Sequence, residues 1–499
     1  MKTVSNNLFL LIRSLSGPEK RYFKIYASRH ILGDKNKYLL LFEAVEKQKQ
    51  YDELAIKQQF KDEAFIRQLT VIKNYLYEMI LRSLDAYYAE SSMDNNLKKQ
   101  LHYIEILYNK GLYAQCEQVL QRTEKTATAH EKYLVLLELA AWKLRIIKTS
   151  RFYKTSEEEI EDLYQKRLNI IAKLGNYYAY ESLNNKMYLR VMKKGWVSRD
   201  ETEIKNDYTS IISNDLYADE VKALSPNAKA LYYGTLSVYH YLKGSYKISN
   251  GHSRKFLQIF EQNPLLIDDN LDEYISGIRN LLFTAISLGD YNDVLKNIDR
   301  LLSLDVKTDI LKAKVFAAAY LPRLIVYNIT GQHDKAAMLV EEIERSILRY
   351  CNQLSQTDVL YLRFNAACVY FKIRDFHKAL HFLSLIINSP EARSMPDIYA
   401  NALLLNIIVQ YELEAYDLLP YILRSTYLFL LKQKRLYQFE KIVLSFIRKL
   451  SDVPKAGMTD LLEQAKAEFL ALAESNPYEK YAMEHLGFLK WLDTKIDRA

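Results

Sequence analysis

FNAACVYFKIRDFHKALHFLSLII, from Phe364 to Ile387, holds two apolar runs at helical spacing on either side of a short polar turn, Arg374-Asp375-Phe376. Ala367 and Tyr370 lie on the first run, and Ala379, Leu383 and Ile386 recur on the second at the three-to-four-residue interval of one helix face. Two such helices joined by a tight turn form a helical hairpin. The turn's pattern is a small or polar residue, any residue, then an aromatic ring. It returns at Gly111-Leu112-Tyr113, Gly244-Ser245-Tyr246, Gly289-Asp290-Tyr291 and Gly331-Gln332-His333. Turns centred on Gly289, Gly331, Arg374 and Glu414 are spaced by 42, 43 and 40 residues, which is the period of a repeat. In such an array each hairpin buries its apolar face on its neighbours, so 499 residues imply many units rather than several independent cores.

The composition agrees with an all-α chain. Hydrophobic residues make up 49% and charged residues 26%, close to a soluble globular average, while 13 Gly and 9 Pro are few for this length. Strand-type alternation bounded by turn clusters is hard to find. The net charge of +8 is a mild imbalance against 61 acidic residues, short of the strong basic bias of a dedicated nucleic-acid binder. Cys116, Cys351 and Cys368 are odd in number and show no CxxC spacing, so neither a disulfide framework nor a zinc site is expected. Leu8 to Ile12 is too short for a signal-peptide core, and no stretch approaches 18 uninterrupted apolar residues. These features predict a cytoplasmic, soluble protein with no membrane partner.

In its order of residues the Phe364–Ile387 unit resembles the tetratricopeptide repeat, with Ala367 and Ala379 at the two small positions and Tyr370 at the first-helix aromatic. The unit around Tyr327 is similar, with Tyr327, Gly331 and Ala336 at the same offsets. Leu281–Leu301 keeps the turn and has Val294 at the small position, Tyr103–Thr123 places Cys116 there, and the unit around Gly244 puts Ser237 and Ser249 at its two small positions. Units run about 40 residues or more against the family's usual 34. Between Gly111, Gly175 and Gly244 the spacings of 64 and 69 residues leave room for additional helices. The resemblance implies an α-solenoid whose first helices face a concave side that binds a protein or peptide, and it nominates Tyr327 and Arg363 as contacts.

Helix starts support this parse. Ser16 with Glu19, Ser156 with Glu159, and Asn476 with Glu479 have capping-box spacing, and Pro226 and Pro477 suit first helical positions. Pro322 and Pro420 fall inside helical pattern, where each either kinks a helix or begins one. Three regions follow: 1–90 as a non-repeat helical unit, 91–458 as the repeats, and 459–499 as closing helices, Thr459–Glu474 and Tyr478–Ile496, that cover the last open face.

Residues 1–90 read as helices at about 17–29, 36–49, 52–60 and 64–85, the last with Phe65, Leu69, Ile72, Leu76, Met79 and Ser83 along one side. The final pair is a helix-turn-helix candidate, with Arg67, Thr70, Lys73 and Asn74 outward as nucleic-acid contacts. Glu78 on the same outward side and the lack of a following wing favour a plain helical cap. A second basic segment includes Lys434, Arg435 and Lys441, candidates for partner contact, although Lys441 lies opposite the apolar stripe Phe439, Ile442, Val443, Phe446, Ile447 and Leu450, as on a solvated face. The 40 tyrosines, clustered at Tyr87-Tyr88, Tyr177 to Tyr180 and Tyr232 to Tyr241, suit either core packing or a peptide groove.

His377 and His381 have the spacing of two metal ligands, but no glutamate lies between them and no third ligand lies nearby, so no metal is expected. GxxxxGK, GxGxxG, GxSxG and HExxH are all absent, and nothing nominates a nucleophile, acid or base. The expectation is a non-enzymatic interaction scaffold or adaptor without a cofactor. The alternative is a regulator whose amino-terminal unit binds nucleic acid while the solenoid senses a partner.

Overall fold

The computed structural model describes residues 6–28, 36–88, 92–153, 155–196, 207–452, 457–475, 479, 483 and 487–497. All regular structure among them is helical, in two compact units, residues 1–170 and 171–499.

The first unit opens with α1 (Asn7–Ser14), α2 (Gly17–Ser28), α3 (Lys37–Lys47) and α4 (Glu53–Gln59). A 3-10 turn, Ala64–Gln68, then leads into α5 (Leu69–Tyr88). The sequence predicts one helix from residue 64, but the stripe it names is the buried face: Phe65, Leu69, Ile72, Leu76, Met79 and Ser83 are all inside. They meet Phe23 and Phe42, whose ring centroids are 4.6 Å apart, and Leu8 and Ile12 of α1, a helix the sequence reading did not resolve. The Ser16 capping box forms as expected: the Ser16 amide donates to Glu19 Oε2 at 2.5 Å and the Glu19 amide to Ser16 Oγ at 3.4 Å. Next come α6 (Met93–Asn109), α7 (Tyr113–Ala129) and α8 (Tyr133–Thr149), packed in succession, and then α9 (Glu157–Lys194).

The recurring turn has a simple physical basis. At Gly111 (φ +74°) the chain enters the left-handed region, Leu112 N–H donates to the Leu107 carbonyl at 3.0 Å, and Tyr113 becomes the first residue of the next helix. This is a Schellman cap, which satisfies carbonyls that a helix end leaves open. The same bond runs from Ser245 to His240, Asp290 to Ala285, Gln332 to Tyr327 and Asp375 to Tyr370. It also runs from Lys132 to Ala127, where Glu131 takes φ +52° in place of a glycine and Tyr133 starts α8. That turn is invisible to a search for glycine. Gly175, by contrast, is no turn: it lies inside α9, a 38-residue helix that occupies the long spacing.

The second unit contains, after α9, α10 (Thr209–Ile212), α11 (Pro226–Leu242), α12 (Tyr246–Gln262), α13 (Pro264–Asp269), α14 (Leu271–Ser287) and α15 (Tyr291–Leu302). There follow α16 (Asp309–Ile329), α17 (His333–Arg349), α18 (Gln356–Lys372), α19 (Phe376–Ile387), α20 (Pro396–Glu412) and α21 (Leu419–Lys432). The last described helices are α22 (Gln438–Asp452), α23 (Met458–Ser475) and α24 (Phe488–Ile496). From α14 to α22, each helix packs on its chain neighbours and each first helix of a pair also packs on the next, α14 on α16, α16 on α18, α18 on α20 and α20 on α22. This succession of pairs is compatible with a helical-repeat solenoid. Pro322 sits inside an unbroken α16, whereas Pro420 opens α21.

The small positions lie where paired helices cross. Ala336, Ala367, Ala379 and Val294 are fully buried, and Tyr370 stacks on Phe382 at 5.6 Å. In the pair around Gly244 the small residues are polar but satisfied: Ser249 Oγ donates to the Ser237 carbonyl at 2.6 Å, and Ser237 Oγ lies 2.7 Å from Ser253 Oγ. The Asn476 and Pro477 cap positions lie outside the described residues.

Candidate binding cavity

The first helices of successive pairs in the second unit line a cavity of about 1350 Å³. Small-molecule pockets usually span roughly 300–1,000 Å³. Its lining follows from helical period. Tyr188 and Met192 of α9, Gly234, Ser237 and Tyr241 of α11, and Ser276, Asn280, Phe283 and Ser287 of α14 each recur three or four residues apart, so each set shares one helix face. A carboxamide stands on each of four successive first helices: Asn280 on α14, Asn328 on α16, Asn365 on α18 and Asn401 on α20. Asn280 and Asn365 occupy the same register, nine residues before Gly289 and Arg374.

Glycine brings the backbone close at two points on the wall, Gly277 and Gly487, and beside it at Gly195. A Cβ on Gly277 would lie 2.2 Å from the Phe256 ring. One on Gly195 would lie 2.7 Å from Asp397 Cβ, and one on Gly487 would lie 3.0 Å from Lys372 Cε. The first lets Phe256 of α12 pack flat on α14; the other two draw the end of α9 and the start of α24 against α20 and α18.

One part of the wall is charged and internally matched. Arg279 Nη1 reaches Asp358 Oδ1 at 2.8 Å, linking α14 to α18, and the Tyr361 hydroxyl donates to Asp397 Oδ2 at 2.8 Å, linking α18 to α20. Burial, and then the Asp397 carboxylate, push the Tyr361 hydroxyl well above its usual value, so it stays a donor. Arg435 donates to the Lys194 carbonyl, and Asn280 Nδ2 donates to the Tyr188 hydroxyl at 3.1 Å.

Another part is unmatched. Lys372, the last residue of α18, donates to the Asn328 backbone carbonyl at 3.4 Å and has no carboxylate partner among the described residues. Burial pushes its ammonium below the usual lysine value; the Cys368 thiol opposes that shift and Lys490 adds to it. Burial holds the Cys368 thiol protonated, its pKa pushed up to about 12, which removes it as a nucleophile.

No protein family, curated protein or solved structure matches this chain. The cavity therefore has to be read from its own chemistry. Of the residues nominated from sequence, Arg435 lines the cavity. Tyr327 instead packs against the core with the Lys335 ammonium 5.9 Å from its ring, and the adjacent Asn328 faces the cavity. Arg363 points toward α17, its Nε 3.8 Å from Glu344 Oε1. Lys434 is exposed at a left-handed turn, and Lys441 is exposed on α22 opposite the buried Phe439, Val443, Phe446, Ile447 and Leu450.

In the first unit Arg67, Thr70 and Asn74 are exposed, but Lys73 is bound to Glu53 at 2.5 Å and to the Tyr51 hydroxyl at 3.1 Å. Of the clustered tyrosines, Tyr180 and Tyr232 pack with Tyr217 in an aromatic core, while Tyr241 lines the cavity with Tyr188 and Trp196. No helix among the described residues is long and apolar enough to cross a membrane.

Proposed function

We propose that this chain is a non-enzymatic cytoplasmic adaptor whose second unit is a tetratricopeptide-like solenoid that takes a peptide segment of a partner protein into its cavity. The supporting observation is the row of carboxamides Asn280, Asn328, Asn365 and Asn401 on successive first helices. A carboxamide both donates and accepts, as does each peptide unit of an extended backbone, so such a row fits a chain rather than a compact metabolite. Phe283, Tyr241, Tyr291 and Trp196 supply broad apolar contact for side chains.

A photo-crosslinking residue placed at Ile325 or Ser276, inside the cavity, should yield peptide or protein adducts in the cells that produce the protein, while the same residue at exposed Met338 on α17 should not. Absence of adducts from both cavity positions in a folded protein would sink the reading. The nucleic-acid alternative loses support from the engagement of Lys73 by Glu53. Affinity for random duplex DNA should accordingly fail to rise as salt is lowered.

A further inference from the structure

Lys372 poses a physical problem that its neighbours do not solve. Long cations inside a protein are ordinarily paired, because an ammonium taken out of water loses hydration that only an anion or several acceptors restore. On the same wall Arg279 follows that rule through Asp358. Lys372 has one long hydrogen bond to a carbonyl, and the other charged side chain acting on it is Lys490, of the same sign. Lys490 also makes no ion pair among the described residues, and both lysines line the cavity.

Asn328 adds a second, independent signal. It is only 6% exposed, lines the same cavity, and its Oδ1 is buried without a hydrogen bond. A buried amide left open is costly, and turning it about its terminal torsion presents either its N–H or its oxygen to whatever enters. Its own backbone carbonyl is the one that Lys372 touches, so amide and ammonium belong to one corner of the wall. Cys368, one helical turn before Lys372, stays a neutral thiol and supplies no anion.

We propose that this corner of the cavity seats an oxyanion of the ligand, a carboxylate or a phosphate group, held by the ammonium groups of Lys372 and Lys490 and by the side-chain amide of Asn328. The proposal rests on reading the cavity as a binding site and specifies what one end of the bound segment carries. Two cations with no carboxylate partner among the described residues, Lys372 partly buried and Lys490 exposed, make this corner of the cavity positive and favour an oxyanion there. The Arg279–Asp358 ion pair gives no such preference, and the Asp397 carboxylate, which the neutral Tyr361 hydroxyl does not neutralise, disfavours an anion, so the ligand is polarised along the cavity. The competing structural account makes Lys372 a stitch from the end of α18 to α16, and that role is indifferent to anions.

The test uses the full chain with its lysines carrying ¹³C-dimethyl labels, the Lys372 signal being assigned by its loss in Lys372→Met. Inorganic phosphate and acetate are titrated separately at ionic strength held constant with chloride. Saturable movement of the Lys372 signal with phosphate, with acetate or with both is expected, together with a rise in the pH at which that signal titrates. The anion that saturates identifies a phosphoryl or a carboxylate source.

Lys490→Ala, at an exposed position that leaves folding unaffected, should weaken the saturating anion at least threefold. Movement no different from chloride in both arms, or equal affinity in Lys490→Ala, overturns the proposal. Crosslinks from Ile325 that persist without anion saturation would leave the peptide reading standing while the oxyanion site falls. Saturation without crosslinks would do the reverse.

Discussion

Two lysines, one in each unit, show opposite solutions to the same problem. Lys73 on α5 is folded back onto Glu53 at 2.5 Å and Tyr51 at 3.1 Å. Burial works against its charge, yet those partners hold the ammonium above its usual value, and hydrogen bonds from Lys73 and Lys57 pull the Glu53 carboxyl down to about 2. Lys372 on α18 is also drawn inside, but its neighbours leave it below the ordinary lysine value. Charge in the amino-terminal helices is spent on holding them together. At the cavity a partly buried cation is left over, and the oxyanion proposal rests on it rather than on any count of exposed basic residues.

The contrast can be broken at several points. The largest effect is expected where the cavity wall depends on packing alone: Gly277→Leu drives a side chain into the Phe256 ring and should cost the second unit about 3 kcal/mol, read as lost hydrogen-exchange protection in α12 and α14. Lys73→Met should cost the first unit about 2 kcal/mol by leaving Glu53 half-buried with only Lys57. Lys372→Met should act in the opposite sense and stabilise the second unit by about 1 kcal/mol in denaturant unfolding, since it orphans no charged partner and loses only a long bond to the Asn328 carbonyl. Equal signs for the two lysines would end the distinction between them.

Acid sharpens the same point. The folded-state pKa of Glu53 lies near 2, below its unfolded value, so its contribution is present above about pH 4.5 and is lost as pH falls toward 2. Protection of α4 and α5 should therefore decline across that window, and Glu53→Gln should flatten the decline. The smallest effect belongs to the turns: Glu414, held at φ +57°, should gain about 0.5–1 kcal/mol as Glu414→Gly, seen as a modest rise in Tm.

The hairpins were legible because their information is local. A left-handed capping residue, a 6→1 hydrogen bond and an aromatic first residue lie within a few positions, so Gly289, Gly331 and Arg374 announce them directly. Glu131 escaped because, unlike Glu414, it has no place in the roughly 40-residue spacing that marks the later turns, and Gly175 misled because glycine is also tolerated within a long helix. The cavity was largely illegible. Asn328 and Tyr327 are adjacent, and the choice between them turns on a helix rotation of about 100° that only the packing of α16 fixes. Lys372 gives no sequence signal at all, since what distinguishes it is the absence of a nearby carboxylate, a property of three helices at once.

The Schellman turns and the cavity also differ in when they can exist. Each turn is finished once its own two helices have been made, whereas the cavity draws on residues from Asn184 to Lys490. On the ribosome the hairpins of the second unit can consolidate one after another while the wall still lacks its final lysine. A ligand of the kind proposed would therefore act on the finished protein alone, as slower unfolding rather than faster assembly.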